Sequence, residues 1–178
     1  MNLNNKFTVG GLFSGVGGIE LGFKQAGFNT LWANEIDKHS AETYRINNGN
    51  HLIEDDVHLL QGKNLDSVDV LVGGFPCQAF SNAGKRKGFN DTRGTLFYDI
   101  EEILAFHKPK AFLLENVKGL RSHDGGKTLK TILEILRDKL GYFVPDPEIL
   151  NSRDFGLPQN RQRIYIVGFL KKNSFQYP

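Results

Sequence analysis

Three observations predict a doubly wound α/β fold for this chain, with a mostly parallel sheet and an antiparallel edge. Short apolar, strand-like runs alternate with segments of helical period, the pattern of parallel strands joined by crossover helices. Glycine-rich or acidic turns follow several of those runs, at the carboxyl ends of strands where open sheets of this class hold ligands. The last strand-like runs are separated by turn-rich sequence without a helix, so they should pair antiparallel.

The first strand is placed at Phe7 to Phe13. Ile19 to Ala26 then carries Ile19, Leu21, Phe23 and Ala26 on a helical stripe that Gly27 ends. A second strand, Thr30 to Asn34, leads to a helix over Lys38 to Asn47 closed by Asn48-Gly49, and a short third strand covers His51 to Ile53. Val68 to Val72 is the fourth strand, Thr95 to Phe106 the third helix and Ala111 to Glu115 the fifth strand. Thr128 to Leu140 has Leu129, Ile132, Leu133, Ile135 and Leu136 at helical spacing before Gly141 stops it. Tyr142-Phe143-Val144, Glu148-Ile149-Leu150 and Arg163 to Leu170 are the closing strand-like runs.

A chain of 178 residues, with ordinary apolar and charged fractions, is expected to form one globular domain over 1–178. A single cysteine excludes an internal disulfide and argues against a thiolate zinc site, so no metal is expected and a reducing cytoplasmic setting is the simplest inference. The polar start and the absence of a long unbroken apolar stretch point to neither export nor a membrane. A net charge of +2 says little about a nucleic-acid partner. Its distribution says more, because Lys85, Arg86, Lys87 and Arg93 share one segment with the cysteine.

That cysteine closes Gly74-Phe75-Pro76-Cys77, directly after the fourth strand. A lone cysteine is commonly a small buried hydrophobe. Here Gly73 and Gly74 let backbone approach a ligand closely, and Pro76 fixes φ just before the thiol, which favours a nucleophile. The run from Gln78 to Gly94 is polar, basic and glycine-punctuated, and loops of this length in compact domains are generally functional or disordered.

Phe13-Ser14-Gly15-Val16-Gly17-Gly18 follows the first strand and opens the first helix, the context of a cofactor-binding turn. It departs from the dinucleotide fingerprint, since Glu20 falls at the third spaced position, where an acid would repel a pyrophosphate. A cofactor without phosphate, such as S-adenosylmethionine, fits better than NAD. Glu35, about 20 residues further on, can accept from ribose hydroxyls, and Ile36 can cover a face of adenine. In Asp55-Asp56-Val57 one acid can meet an exocyclic amine and the other can cap a helix. Glu115 ends an apolar strand, where an unpaired carboxylate is costly to bury and a protonated one can donate. Arg161 and Arg163 alternate into the last strand, so both can face one side and grip a phosphate or a base carbonyl.

The chain resembles the catalytic domain of cytosine-C5 DNA methyltransferases, especially small bacterial modification enzymes, through Phe13 to Gly18, Asn34-Glu35, Gly74 to Gln78, Glu115-Asn116-Val117 and Gln159 to Arg163 in order. The resemblance implies a methyltransferase variant of the Rossmann-like sheet. Phe13, Ser14, Gly15, Gly17, Gly18, Glu35, Ile36, Asp56, Val57, Pro76 and Leu96 would line an S-adenosylmethionine site that releases S-adenosylhomocysteine. It further implies Cys77 as nucleophile and Glu115 and Arg163 as holders of a flipped cytosine; Arg161, Arg163 and any nearby helix N-terminus are candidate sources of the positive potential that would favour the thiolate. Double-stranded DNA would be the substrate, with Ser81, Lys85, Arg86 and Arg93 toward its backbone and Gln78 filling the vacated space.

The family continues past this point into a target-recognition domain and a closing segment, neither of which is expected in this chain. The expectation is an excised fragment, or one polypeptide of a split restriction-modification enzyme whose partner supplies recognition. Such a chain should expose an apolar face and methylate weakly alone. A noncatalytic cofactor-binding subunit or relic, and a transfer-RNA cytosine-C5 methyltransferase, are the alternatives.

Overall fold

The computed structural model describes residues 6–60, 64–76 and 96–178. These residues form one seven-stranded sheet in the order β3-β2-β1-β4-β5-β7-β6. The strands are β1 (Thr8–Leu12), β2 (Asn29–Asn34), β3 (Leu52–Ile53), β4 (Val70–Gly74), β5 (Ala111–Val117), β6 (Glu148–Asn151) and β7 (Gln162–Phe169). Helices α1 (Gly18–Gln25), α2 (Lys38–Asn48), α3 (Leu96–His107) and α4 (Lys127–Glu134) make the connections. The β3-β2-β1-β4-β5 portion is parallel, and β7 runs antiparallel to both β5 and β6. β1 lies between β2 and β4, so the strand order reverses there, and the crevice beyond that reversal is where open α/β sheets bind ligands.

The predicted class is therefore the observed one, with differences in detail. β4 continues through Gly73 and Gly74 instead of stopping at Val72, because these glycines pair in register with Leu114 and Glu115. Sheet context here outweighs the poor strand preference of glycine. The predicted strand Tyr142 to Val144 makes a single bridge, Phe143 to Phe169. Tyr142 is instead anchored from its side chain, which donates to the Pro109 carbonyl at 3.0 Å and meets the Phe112 ring edge-on. The fourth helix ends in a π-helical stretch, Ile135–Lys139, with the Leu140 amide donating to the Ile135 carbonyl.

The main core joins Phe97, Ile100, Ile103 and Leu104 of α3 to Phe112 and Leu114 of β5, Ile132 of α4, Leu136 just beyond it, and Ile164 and Ile166 of β7. Each such side chain contributes about 1.5–3 kcal/mol on leaving water. One close approach depends on a missing side chain: the Phe112 ring lies across Gly168, where a methyl group would overlap it. Strand alternation then sorts β5, burying Phe112, Leu114 and Asn116 while Leu113 and Glu115 are only partly buried. That second set lines a cavity bounded by α1.

Candidate active site

The turn after β1 holds Phe13 and Gly15 at φ of 54° and Gly17 at 91°. Its Ser14 amide donates to the Asn34 carbonyl at 2.9 Å, which ties the end of β1 to the end of β2. Glu35 continues that tie. Its Oε2 accepts from the Gly15 amide at 2.7 Å and its Oε1 from the Asp37 amide at 2.8 Å. Both oxygens keep further lone pairs, so Glu35 can hold the turn and still accept from a ligand hydroxyl.

Two cavities meet at Phe13 and Gly74. One, of about 520 Å³, is walled by Phe13, Glu35, Ile36, Asp56, Val57, Pro76 and Leu96, seven of the residues predicted for the cofactor, together with Asn34 and His58. Asp56 caps the short helix after β3 by accepting from the His58 amide at 3.0 Å. His58 Nδ1 lies 2.9 Å from the Asp99 carboxylate, linking this wall to α3. Burial pushes the Asp99 carboxyl up, and His58 pulls against that shift. The His58–Asp99 pair has no sequence signature, because its partners come from separate elements without a shared motif.

The second cavity, of about 680 Å³, is walled on one side by Ile19, Phe23 and Phe28 and on the other by Leu113, Glu115, Arg161 and Tyr165. Ser14 and Gly18 line it too. Gly15 and Gly17, also predicted for the cofactor, are in the lining of neither cavity. Gly17 is the N-cap of α1 and packs against Tyr44 and Asn48, where a side chain would collide. Glu20 likewise does not face the ligand space as predicted; it is buried behind the turn.

Glu115 and Arg163 meet across β5 and β7, with Arg163 Nε 2.8 Å from Glu115 Oε1. The carboxylate is thus ion-paired, where the sequence pattern pointed to an acid in apolar surroundings. Gly74 makes room for it, since even a methyl there would come within 3.3 Å of Glu115 Oε2. Arg161 and Arg163 share a smaller cavity of about 260 Å³, consistent with the predicted common face. Next to Glu115, Asn116 is 1 % exposed and its Nδ2 donates to the Phe75 carbonyl at 2.8 Å. That contact ties β5 to the segment entering Pro76 and was not predicted. Cys77, Gln78, Ser81, Lys85, Arg86 and Arg93 lie outside the described residues.

Among the described residues no cluster of His, Cys, Asp or Glu is arranged to hold a metal. No described helix is long and apolar enough to cross a membrane. The sheet order, the glycine turn with Glu35 and the strand-end carboxylate define a methyltransferase-type α/β domain. Residues 7–178 match the C-5 cytosine-specific DNA methylase family, and the chain belongs to it.

Type II methyltransferase M.HpaII of Haemophilus parainfluenzae is 54% identical over 182 residues, covering 99% of this chain and 51% of its own length. Type II methyltransferase M.NlaX of Neisseria lactamica is 50% identical over 175 residues, covering 97% of this chain and 55% of its own. The crystal structure of S. pombe Dnmt2 methyltransferase superposes with a TM-score of 0.78 at 25% identity, over 96% of this chain and 53% of that one. The chain thus spans about half the length of these relatives.

Proposed function

We propose that this chain is the catalytic part of a DNA cytosine-C5 methyltransferase of a restriction-modification system, acting on a base flipped out of double-stranded DNA. The observation that carries the reading is the convergence, at one sheet edge, of the Glu35–Asp56 cavity and the Glu115–Arg163 pair on either side of the segment entering Cys77. The relatives of about 50% identity are named as type II methyltransferases, which supports a DNA substrate.

The residues present fit S-adenosylmethionine. Glu35 has lone pairs for the ribose hydroxyls, Ile36 and Phe13 offer apolar faces to a purine, and Asp56 can accept from an exocyclic amine. Ser14, Gly15 and Gly18 shape the turn beside it, with Val57, Pro76 and Leu96 completing the wall. Bound there, S-adenosylmethionine supplies an electrophilic methyl group and leaves as S-adenosylhomocysteine.

C5 of cytosine is a weak nucleophile, so covalent activation is needed. The Cys77 thiolate bonds to C6 and the C5–C6 electron pair moves toward C5, while Glu115, once it has taken up a proton, donates it toward N3 and recovers it when the thiolate leaves. Arg163 orients Glu115 and the base, while Arg161 adds positive potential that favours the thiolate. After C5 is methylated its proton passes to a base, the C5–C6 double bond re-forms and the C6–S bond breaks to return the thiolate. Ser81, Lys85, Arg86 and Arg93 contribute backbone contacts and Gln78 fills the space left by the base.

A second polypeptide, or a further segment, supplies recognition. The apolar trough of Ile19, Phe23, Phe28, Leu113 and Tyr165 supports this, because such a groove is a suitable seat for packed chain. The test incubates the chain with 5-fluorocytosine DNA and S-adenosylmethionine, alone and with the product of the adjacent coding sequence. A covalent adduct lost in Cys77→Ser is expected. Absence of adduct even with the partner refutes the enzyme reading, and an adduct in Cys77→Ser refutes the nucleophile.

A further inference from the structure

Glu20 is a buried carboxyl that none of these steps uses. It lies in the first turn of α1 and is 2 % exposed. Its Oε1 accepts from the Ser14 hydroxyl at 2.5 Å, and its Oε2 is buried without a hydrogen-bond partner among the described residues. The carboxyl rests on bare backbone: a methyl group at Gly11 of β1 would overlap both the Glu20 carboxyl and the Ser14 hydroxyl. A carboxyl is costly to bury in such a niche, so its retention calls for a task.

The turn it touches supplies one. Phe13 is a bulky residue at φ 54°, a conformation that costs about 1–3 kcal/mol and persists only where the surroundings over-determine it. Ser14 is held from β2 through its amide, and Gly15 through Glu35. The Ser14 hydroxyl adds a tie to α1 through Glu20.

We propose that Glu20 is a positioning residue: through the Ser14 hydroxyl it locks the Phe13-to-Gly17 turn in the shape that the cofactor cavity requires. This rests on the cofactor reading above. The titratable groups facing Glu20 are Glu35 from the end of β2 and Tyr44 from α2, whose hydroxyl in turn meets His51 Nε2 at 2.9 Å. Burial pushes the Glu20 carboxyl up, the Ser14 bond offsets part of this and Glu35 adds to it. The folded state therefore holds this proton more tightly than the unfolded chain. The resulting stability is present in full below the ordinary carboxylate range and is lost as pH rises through the folded value.

The test measures calorimetric binding of S-adenosylhomocysteine and urea unfolding for wild type, Glu20→Gln, Glu20→Leu, Ser14→Ala and the Glu20→Leu/Ser14→Ala double variant, from about pH 5 to about pH 9. Glu20→Gln keeps the bond and the affinity but flattens the pH profile of unfolding. Glu20→Leu and Ser14→Ala each weaken binding about tenfold, roughly the worth of one buried hydrogen bond, and the double variant is little worse than either. Should Glu20→Leu fail to fold, Ser14→Ala carries the binding test, since it leaves the buried niche filled. Wild-type affinity in Ser14→Ala, or a Glu20→Gln profile that tracks wild type, overturns the proposal. If wild type itself does not bind the probe, the cofactor reading falls, while the unfolding profiles still decide whether Glu20 braces the turn.

Discussion

Asn116 offers the sharpest test of how the site is held. Its side chain spans two backbone segments, donating to the Phe75 carbonyl at 2.8 Å and accepting from the Val117 amide at 2.8 Å. Asn116 is 1 % exposed and Phe75 4 %, so water cannot easily replace the first bond. In Asn116→Asp the Val117 contact survives, but a carboxylate oxygen is set against the Phe75 carbonyl oxygen. An unmatched buried acceptor costs about 1–3 kcal/mol, and a buried charge adds to this, so a loss of about 3 kcal/mol is expected. Asn116→Ala, which loses both bonds without adding charge, should cost about 1–3 kcal/mol. Urea unfolding reads this as a lowered midpoint with an unchanged slope. Because Phe75 lies two residues before Cys77, trapping of 5-fluorocytosine DNA should slow more than S-adenosylhomocysteine binding weakens. Asn116→Asp within about 0.5 kcal/mol of wild type would refute the assigned anchor, since that is the scatter of an ordinary surface substitution.

Other outcomes follow from the same geometry. Gly168→Ala forces a methyl into the Phe112 ring and should lose about 1–3 kcal/mol of stability, an effect that Phe112→Leu in the same chain partly relieves in denaturant titrations. Glu35→Gln keeps an acceptor for one of the Gly15 and Asp37 amides but sets an amide donor against the other, and calorimetry should record about a tenfold loss of S-adenosylhomocysteine affinity. Lys110 beside Asp69, with Thr8, holds the Asp69 carboxyl below its usual range. That pair stabilises the fold above the ordinary carboxylate range and the benefit is lost as pH falls. Lys110→Met should therefore reduce the stability difference between about pH 7 and about pH 3, by less than about 1 kcal/mol because the lysine is exposed.

The strands were legible because each apolar run had turn chemistry at its ends, and Glu35 was legible because its spacing from the glycine turn reflects one β-α-β unit. What spacing could not convey was direction. Glu20 sits at a position that reads as ligand-facing, yet the helix turns it toward β1 and α2, and only the bare backbone at Gly11 explains how it fits. Glu115 and Arg163 were each singled out, but their pairing depends on β7 lying next to β5 rather than at the sheet edge. Asn116 escaped notice because a buried asparagine has no periodic signature; its role exists only in the two backbone groups that it joins.

The position of β7 also bears on the order in which the protein assembles. The walls around Phe13, Ser14 and Glu35 come from β1, α1 and β2, which are neighbours along the chain and can form through short loops. Arg163 reaches Glu115 only when a strand from near the other end of the chain is laid between β5 and β6, a long-range closure that folding theory places late. Pulse-labelled hydrogen exchange should therefore protect the β1 and β2 amides before those of β7. A growing polypeptide would then complete the wall that joins Gly15 to Glu35 before it could pair Glu115 with Arg163.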